Sequence, residues 1–191
     1  MIFRRIDDTK LAQYAYLIGC QRTGEAIVFD PERDIDRYIE AAAREGLRIV
    51  AVAETHIHAD FLSGARELAE RTGAMVYVSA EGGDDWQSKW VAPYKHRLLK
   101  DGDIFDIGGI RFQALHTPGH TKDSMSLVMS DRVFTGDALL IGATGRTDLP
   151  SGDPDQLYDS LFNKLLKLDP GLRVYPAHDY KGASCSMLSE E

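Results

Sequence analysis

Cysteine is scarce in this chain: two among 191 residues, Cys20 and Cys185, far apart and outside any Cys-x-x-Cys spacing. That excludes a disulfide framework and makes a reducing, cytoplasmic compartment the expectation. Positive charge is also short, with 22 Lys and Arg against 30 Asp and Glu and a formal net charge of -8. Nucleic acid is held by clustered Lys and Arg, and no basic run interleaved with aromatics occurs, so nucleic acid is not an expected partner. An anionic small substrate would need local positive groups set against this overall field. Long apolar runs are missing too. Nothing approaches the roughly 20 residues that span a bilayer, and no membrane association is expected. The opening residues, Met1 to Asp8, acquire acid too quickly for a secretory signal and carry no lipidation signal.

What is present is ordinary for a soluble globular protein, 43% hydrophobic and 27% charged. The length suits one domain, 1–191, and no linker, repeat or low-complexity tract divides it. Short apolar strands alternate with Gly-punctuated turns. Residues 12–19 and 25–29 read as a hairpin turning at Thr23-Gly24, 104–107 and 110–115 as a second around Gly108-Gly109, and 126–129 and 133–135 as a third. A helix beginning near Asp34 carries Ile35, Tyr38, Ile39 and Ala42 on one face and stops at Gly46. Residues 47–53 form a buried strand, Ser63 caps a second helix ended by Gly73, and 75–78 form another strand. Residues 81–93, with Trp86 and Trp90, read as a surface loop. Asp153-Pro154 opens a helix whose Leu157, Leu161, Leu165 and Leu168 recur at helical spacing, and a last strand covers 173–175. Strands in hairpins with helices between groups of strands predict an α/β chain of two packed sheets covered by helices.

The candidate chemistry sits where strands have just ended. His56 and His58 follow the 47–53 strand; in extended backbone their imidazoles share a side, and Asp60 continues the row. His120 follows the turn Thr117-Pro118-Gly119, Asp137 follows Gly136, and His178 follows the final strand. Imidazole with carboxylate suits zinc, iron or manganese better than magnesium or calcium. His116, inside a strand pattern, reads as packed or hydrogen-bonded, and His96 belongs to no constellation.

Five segments carry a resemblance: Thr55 to Phe61 (THIHADF), Thr117 to Thr121 (TPGHT), Thr135 to Leu140 (TGDALL), Gly145 to Asp148 (GRTD) and Tyr175 to Tyr180 (YPAHDY). In order and spacing they resemble the metallo-β-lactamase superfamily over nearly the whole chain. Within it they look most like the persulfide dioxygenases, including the metallo-β-lactamase portion of persulfide dioxygenase–rhodanese fusions. The glyoxalase II relatives share the fold and most ligands. The resemblance implies an αββα sandwich and a C-terminus shorter than that of relatives, which continue with a helical segment. Binuclear hydrolases of the superfamily carry His directly after the motif's Asp, where this chain has Phe61. Mapped on the dioxygenases, one Fe(II) per chain would sit on His56, His120 and Asp137, leaving three positions open. His58, Asp60 and His178 would then orient the ligands or bind water, or hold a weaker second ion.

The implied reaction is oxidation of a low-molecular-weight thiol persulfide by O2 to sulfite and thiol. Arg146, Tyr180 and Lys181 are the expected contacts for a glutathione-like carrier. Zinc could replace iron by availability. A zinc thioester hydrolase of the glyoxalase II type is the alternative, and a binding module that has lost catalysis is a third reading. Expected partners are the persulfide and O2, a second copy of the chain, and a rhodanese sulfurtransferase as a functional link. Neither cysteine is given a catalytic role, since Ser184-Cys185-Ser186 lacks the glycines and arginine of a rhodanese loop.

Overall fold

Period-two alternation of apolar side chains is what builds this molecule, described over residues 1–191 by a computed structural model. In β2 (Gln13–Cys20), Tyr14, Tyr16, Ile18 and Cys20 face one core while Ala15 and Leu17 face another. A strand buried on both faces belongs inside a layered fold. Its sheet runs β1 (Ile2–Asp8), β2, β3 (Glu25–Phe29), β4 (Arg48–Ala53), β5 (Met75–Ser79), β6 (His96–Leu99). The first three strands are antiparallel neighbours and the rest join in parallel. Parallel neighbours need crossovers. Helices α1 (Asp36–Arg44) and α2 (Ala65–Thr72) supply two of them and bury Tyr38, Ala42, Leu68 and Ala69 against the sheet.

The second sheet contains β7 (Ile104–Ile107), β8 (Ile110–His116), β9 (Met125–Val128), β10 (Arg132–Gly136), β11 (Arg173–Pro176) and β12 (Ser186–Met187), in the order β12-β11-β10-β9-β8-β7. Only the β10–β11 pair is parallel. Its crossover contains α3 (Pro154–Asp159), capped by the Asp153 carboxylate on the N–H groups of Asp155 and Gln156. Between the sheets, Tyr16, Phe29, Phe112 and Phe134 are fully buried, with Phe29 meeting Phe134 edge-on at 4.8 Å. Leu157, Leu161 and Leu165 close the outer face of the second sheet on Val133 and Val174. The result is the expected αββα sandwich. No helix is long and apolar enough to cross a membrane.

The three hairpins, α1, α2 and the strands after them lie within a residue or two of expectation. The differences are physical. Strand β1 was not anticipated because Arg4, Arg5, Asp7 and Asp8 dilute its apolar pattern, as an edge strand permits. Strand β6 escaped for the same reason, with His96, Arg97 and Leu98 exposed at the other edge. The leucine helix is not continuous. After α3 it widens into a π-helical turn over Ser160–Lys164 and tightens to a 3-10 turn over Leu165–Lys167. Leucines four apart drift around an α-helix of 3.6 residues per turn, and the wider turn brings Leu161 and Leu165 back onto the sheet.

Candidate metal centre

The loops that follow β4, β8, β10 and β11 bring the polar motifs together. Strand β4 ends at Ala53, beside its parallel neighbour β3 ending at Phe29, so Asp30 abuts Glu54 and Thr55. Asp30, fully buried, accepts the backbone N–H of Thr55 at 2.7 Å and its hydroxyl at 2.8 Å. With that proton committed, Thr55 Oγ1 is an acceptor for the Nδ1–H of His56 at 2.9 Å. On the facing loop, Nδ1–H of His120 donates to the Arg146 carbonyl at 2.8 Å. Both rings therefore turn an Nε2 lone pair toward Asp137. Asp137 Oδ2 lies 3.9 Å from His56 Nε2 and 3.5 Å from His120 Nε2, and one donor atom from each of the three lies within 4.8 Å of the others.

Two glycines permit this closeness. Gly136 has φ +54°, and a Cβ there would stand 2.8 Å from Thr55 Oγ1. A Cβ on Gly145 would stand 2.0 Å from the Asp137 carbonyl oxygen and 3.0 Å from His120 Nδ1. Burial, with the charge of His58 beside it, pushes the His56 pKa down to about 3, so it is a neutral ring with a free lone pair at ordinary pH. Burial opposes the charge of Asp137, but the His178 hydrogen bond and the surrounding imidazoles hold its carboxyl well below the usual range. Two imidazoles and one carboxylate fit a divalent transition metal, with one face left to ligands from outside the protein.

The remaining candidates are placed differently. His58 does not share a row with His56 and Asp60, because the extended backbone stops at Ala53. Its Nε2 turns away to Asp30 at 3.2 Å and Glu54 at 3.6 Å, a separate buried cluster. Burial alone would lower the pKa of His58, yet the two carboxylates prevail and raise it to about 9. Burial also raises Glu54 to about 7. His178 donates from Nδ1 to Asp137 at 2.8 Å, and its Nε2 lies 2.8 Å from Asp60 Oδ2, near enough for ionic contact but off the angle of a hydrogen bond. Phe61 packs its ring against His58, tilted, with centroids 4.2 Å apart. His116 is hydrogen-bonded, through Nε2 to the Lys122 carbonyl, and His96 lies outside both clusters.

A pocket of about 510 Å³ opens on the centre between Asp60, His120, Asp137, Leu140, Leu149 and Tyr180. Arg146 also lines it, with Nε and Nη2 each 2.9 Å from Asp148 and Nη1 free of that pair. Tyr180 lies parallel to the His178 ring. Lys181 is not in the lining; its Nζ caps the Gly142 carbonyl at 3.3 Å. A larger open hollow, about 690 Å³, among Met1, Ile104, Arg111 and Asp131 holds no histidine or cysteine and shares no residue with the centre. Sequence reasoning passed over Asp30, Glu54, Thr55 and Asp123; the one local signal was an acid directly after a buried strand, at Asp30-Pro31 and again at Glu54.

Two sheets faced by helices, with imidazoles and carboxylates gathered from the loops at their edge, define an αββα class of protein with a candidate metal site at the sheet ends. The family described as the metallo-beta-lactamase superfamily matches residues 8–178, and the chain belongs to it. Among individual relatives, it is 32% identical to the mitochondrial persulfide dioxygenase ETHE1 of Bos taurus, across 100% of this chain and 73% of that one. The crystal structure of ETHE1 from Myxococcus xanthus superposes with a TM-score of 0.92 at 41% identity, covering 100% of this chain and 81% of its own. A hydroxyacylglutathione hydrolase of Francisella tularensis subsp. novicida is 34% identical over 91% of this chain and 65% of that one.

Proposed function

We propose that this protein is a persulfide dioxygenase that oxidises a small thiol persulfide with O2 to sulfite and thiol, using a single iron held by His56, His120 and Asp137. The observation that carries the reading is the separation of the histidines: His56 and His120 turn Nε2 toward Asp137, while His58 turns its Nε2 into the Asp30 and Glu54 carboxylates. Two histidines and one carboxylate on one face, with open positions opposite, are the donor set of non-haem iron oxygenases. Iron bound there would supply the redox chemistry and an anchor for the persulfide sulfur.

The chain's own residues do the rest. Thr55 and the Arg146 carbonyl fix the ring tautomers, so the donor atoms need no rearrangement when metal arrives. His178 holds the Asp137 carboxylate from behind and keeps it ionised. Leu140, Ala143 and Leu149 give the pocket an apolar wall that limits water at the reacting sulfur. Arg146 Nη1 and Tyr180 stand at its rim, where they would meet carboxylates of a glutathione-like carrier. Lys181 would have to leave the Gly142 carbonyl to do the same. A rhodanese is the class of enzyme that would exchange sulfur with such a carrier.

A zinc thioester hydrolase is the second reading, favoured by the similarity to the hydroxyacylglutathione hydrolase and by the Asp60–His178–Asp137 set, which could take part in a second ion's site. Metal analysis of unsupplemented protein, with oxygen uptake on glutathione persulfide and thioester cleavage measured side by side, separates them. Near-stoichiometric iron with oxygen uptake is expected. Stoichiometric zinc with thioester cleavage and no oxygen consumption would sink the dioxygenase reading.

A further inference from the structure

The turn that carries His120 also grips the loop that carries His56, and it does so at both peptide groups flanking that histidine. On one side, the Met125 N–H donates to the Thr55 carbonyl at 2.8 Å. On the other, the Ile57 N–H donates to the Asp123 carboxylate, Oδ2, at 2.9 Å. Asp123 is 5% exposed and has no cationic partner; the neighbouring Lys122 reaches out to Asp85 instead. Its turn is rigid in its own right. Thr121 N–H and hydroxyl both meet Ser124 Oγ, at 3.2 and 2.7 Å, and Thr117 N–H donates to the Ser124 carbonyl.

The 81–93 segment closes over this acid. A Cβ on Gly82 would stand 1.7 Å from the Trp86 carbonyl oxygen and 3.1 Å from the Asp123 Cβ, so this tight turn packs against the Asp123 side chain. The Trp86 indole Nε1–H is buried with no well-aligned acceptor, and Asp123 Oδ1 is buried with no well-aligned donor. The two are complementary; burial pushes the Asp123 carboxyl above the usual range, and the Thr121 side chain, the Ile57 N–H and the indole work against that rise. A carboxylate is expensive to bury, and one whose Oδ2 accepts the backbone N–H next to a candidate metal ligand has a geometric purpose.

We propose that Asp123 is a positioning residue for the metal centre: by accepting the Ile57 N–H it sets the distance between His56 and His120, and Trp86 seals it from water. Asp123 touches no reacting atom. Its effect passes through the backbone on the C-terminal side of His56, while Thr55 governs the N-terminal side and the tautomer. Metal sites require their donors to be held to within about 0.5 Å, and groups one contact behind the ligands typically change affinity by about 10- to 100-fold. The inference rests on the assignment of His56, His120 and Asp137 as metal ligands, and not on which reaction the metal serves.

The test uses cobalt(II) as the probe, titrated into metal-free full-length protein and read by its visible absorption and by a competing chelator. Asp123→Leu keeps the shape and removes the acceptor; Asp123→Asn keeps an acceptor. Loss of about 10- to 100-fold in cobalt affinity with an altered band shape for Leu, and near-native behaviour for Asn, is the expected result. Wild-type affinity and spectrum for a folded Leu variant overturn the proposal. His120→Ala is the control: if it too binds cobalt as wild type does, the ligand assignment has failed, whereas loss there with no change in Leu isolates the failure to Asp123. Should the Leu variant not fold, amide hydrogen exchange at Ile57 in the Asn variant decides. Protection is expected, and exchange at the rate of an exposed amide overturns the proposal.

Discussion

Replacing Thr55 with valine removes one oxygen from the middle of the site and changes little else in shape. The hydroxyl lies between two buried groups, accepting from His56 Nδ1 at 2.9 Å and donating to Asp30 Oδ2 at 2.8 Å. The backbone bond from Thr55 N–H to Asp30 Oδ1, at 2.7 Å, survives the change. Asp30 also keeps His58, so its loss is partial, whereas the His56 N–H is left with no partner. An unpaired buried donor costs about 1–3 kcal/mol, and the weakened carboxylate adds to it, so the metal-free protein should lose about 2–4 kcal/mol of unfolding free energy. The metal should suffer separately. Without the hydroxyl, nothing selects the tautomer that leaves Nε2 free, and affinity should fall by about 10- to 100-fold.

The two losses are read by urea unfolding of the metal-free protein and by metal titration under the same conditions. Thr55→Ser is the companion, because it keeps the hydroxyl while dropping the methyl. Serine should restore most of the affinity whatever it does to packing. If valine binds metal as tightly as threonine does, the hydroxyl relay from Asp30 does not orient His56. If serine and valine fall equally, packing of the methyl rather than the hydrogen bond is responsible, and the account is wrong in the same place.

Other consequences can be checked independently. His58 has its pKa raised to about 9 against burial by Asp30 and Glu54, and His178 is raised to about 10 against burial by Asp137 and Asp60. A folded pKa above the unfolded value of about 6.5 means stabilisation that is complete below that pH and lost as pH climbs through the folded value. The metal-free protein should therefore weaken steadily between about pH 7 and 10, by urea midpoint, and His58→Gln should flatten the lower part of that decline. Gly145→Ala would set a Cβ 2.0 Å from the Asp137 carbonyl oxygen and 3.0 Å from His120 Nδ1. A cost of about 1–3 kcal/mol in thermal or urea unfolding, with reduced metal content, is the expected outcome, and a native midpoint contradicts it. Phe61→His exchanges the ring packed against His58 for a donor adjoining Asp60, and should add a second, weaker equivalent of zinc by metal analysis. An unchanged stoichiometry would mean that more than Phe61 separates this centre from a binuclear one.

The part of this architecture legible from the chain alone is the part written locally. Alternation marked β2, β3, β8 and β10, paired glycines marked the turn between β7 and β8, and strand ends marked His56, His120, Asp137 and His178. What stayed hidden depends on which strands become neighbours. Asp30 is an unremarkable acid before a proline until β3 and β4 pair in parallel, with Phe29 opposite Ala53. Only then does it fall beside Glu54, Thr55 and His58. The same pairing explains why the His56, His58 and Asp60 row failed. The strand stops at Ala53, and two carboxylates behind the loop draw His58 backward, against the alternation its spacing suggested.

This gives the centre a particular kind of interdependence. Asp30, Glu54 and Asp137 are buried acids, and His56, His58 and His178 are buried bases. Each would be costly to bury alone, and each is tolerated because the next one answers it. His58 answers Asp30 and Glu54, His178 answers Asp137, and Asp30 in turn fixes His56 through Thr55. Charge satisfaction and ligand geometry are thus the same set of contacts. A substitution in the pocket wall, at Leu140 or Leu149, alters what may enter, whereas a substitution within this chain of contacts alters whether the His56, His120 and Asp137 face exists at all. Leu140 and Leu149 belong to the wall alone, whereas Asp60, His120, Asp137, Gly145 and the Arg146 backbone belong both to the wall and to the contacts that build the face.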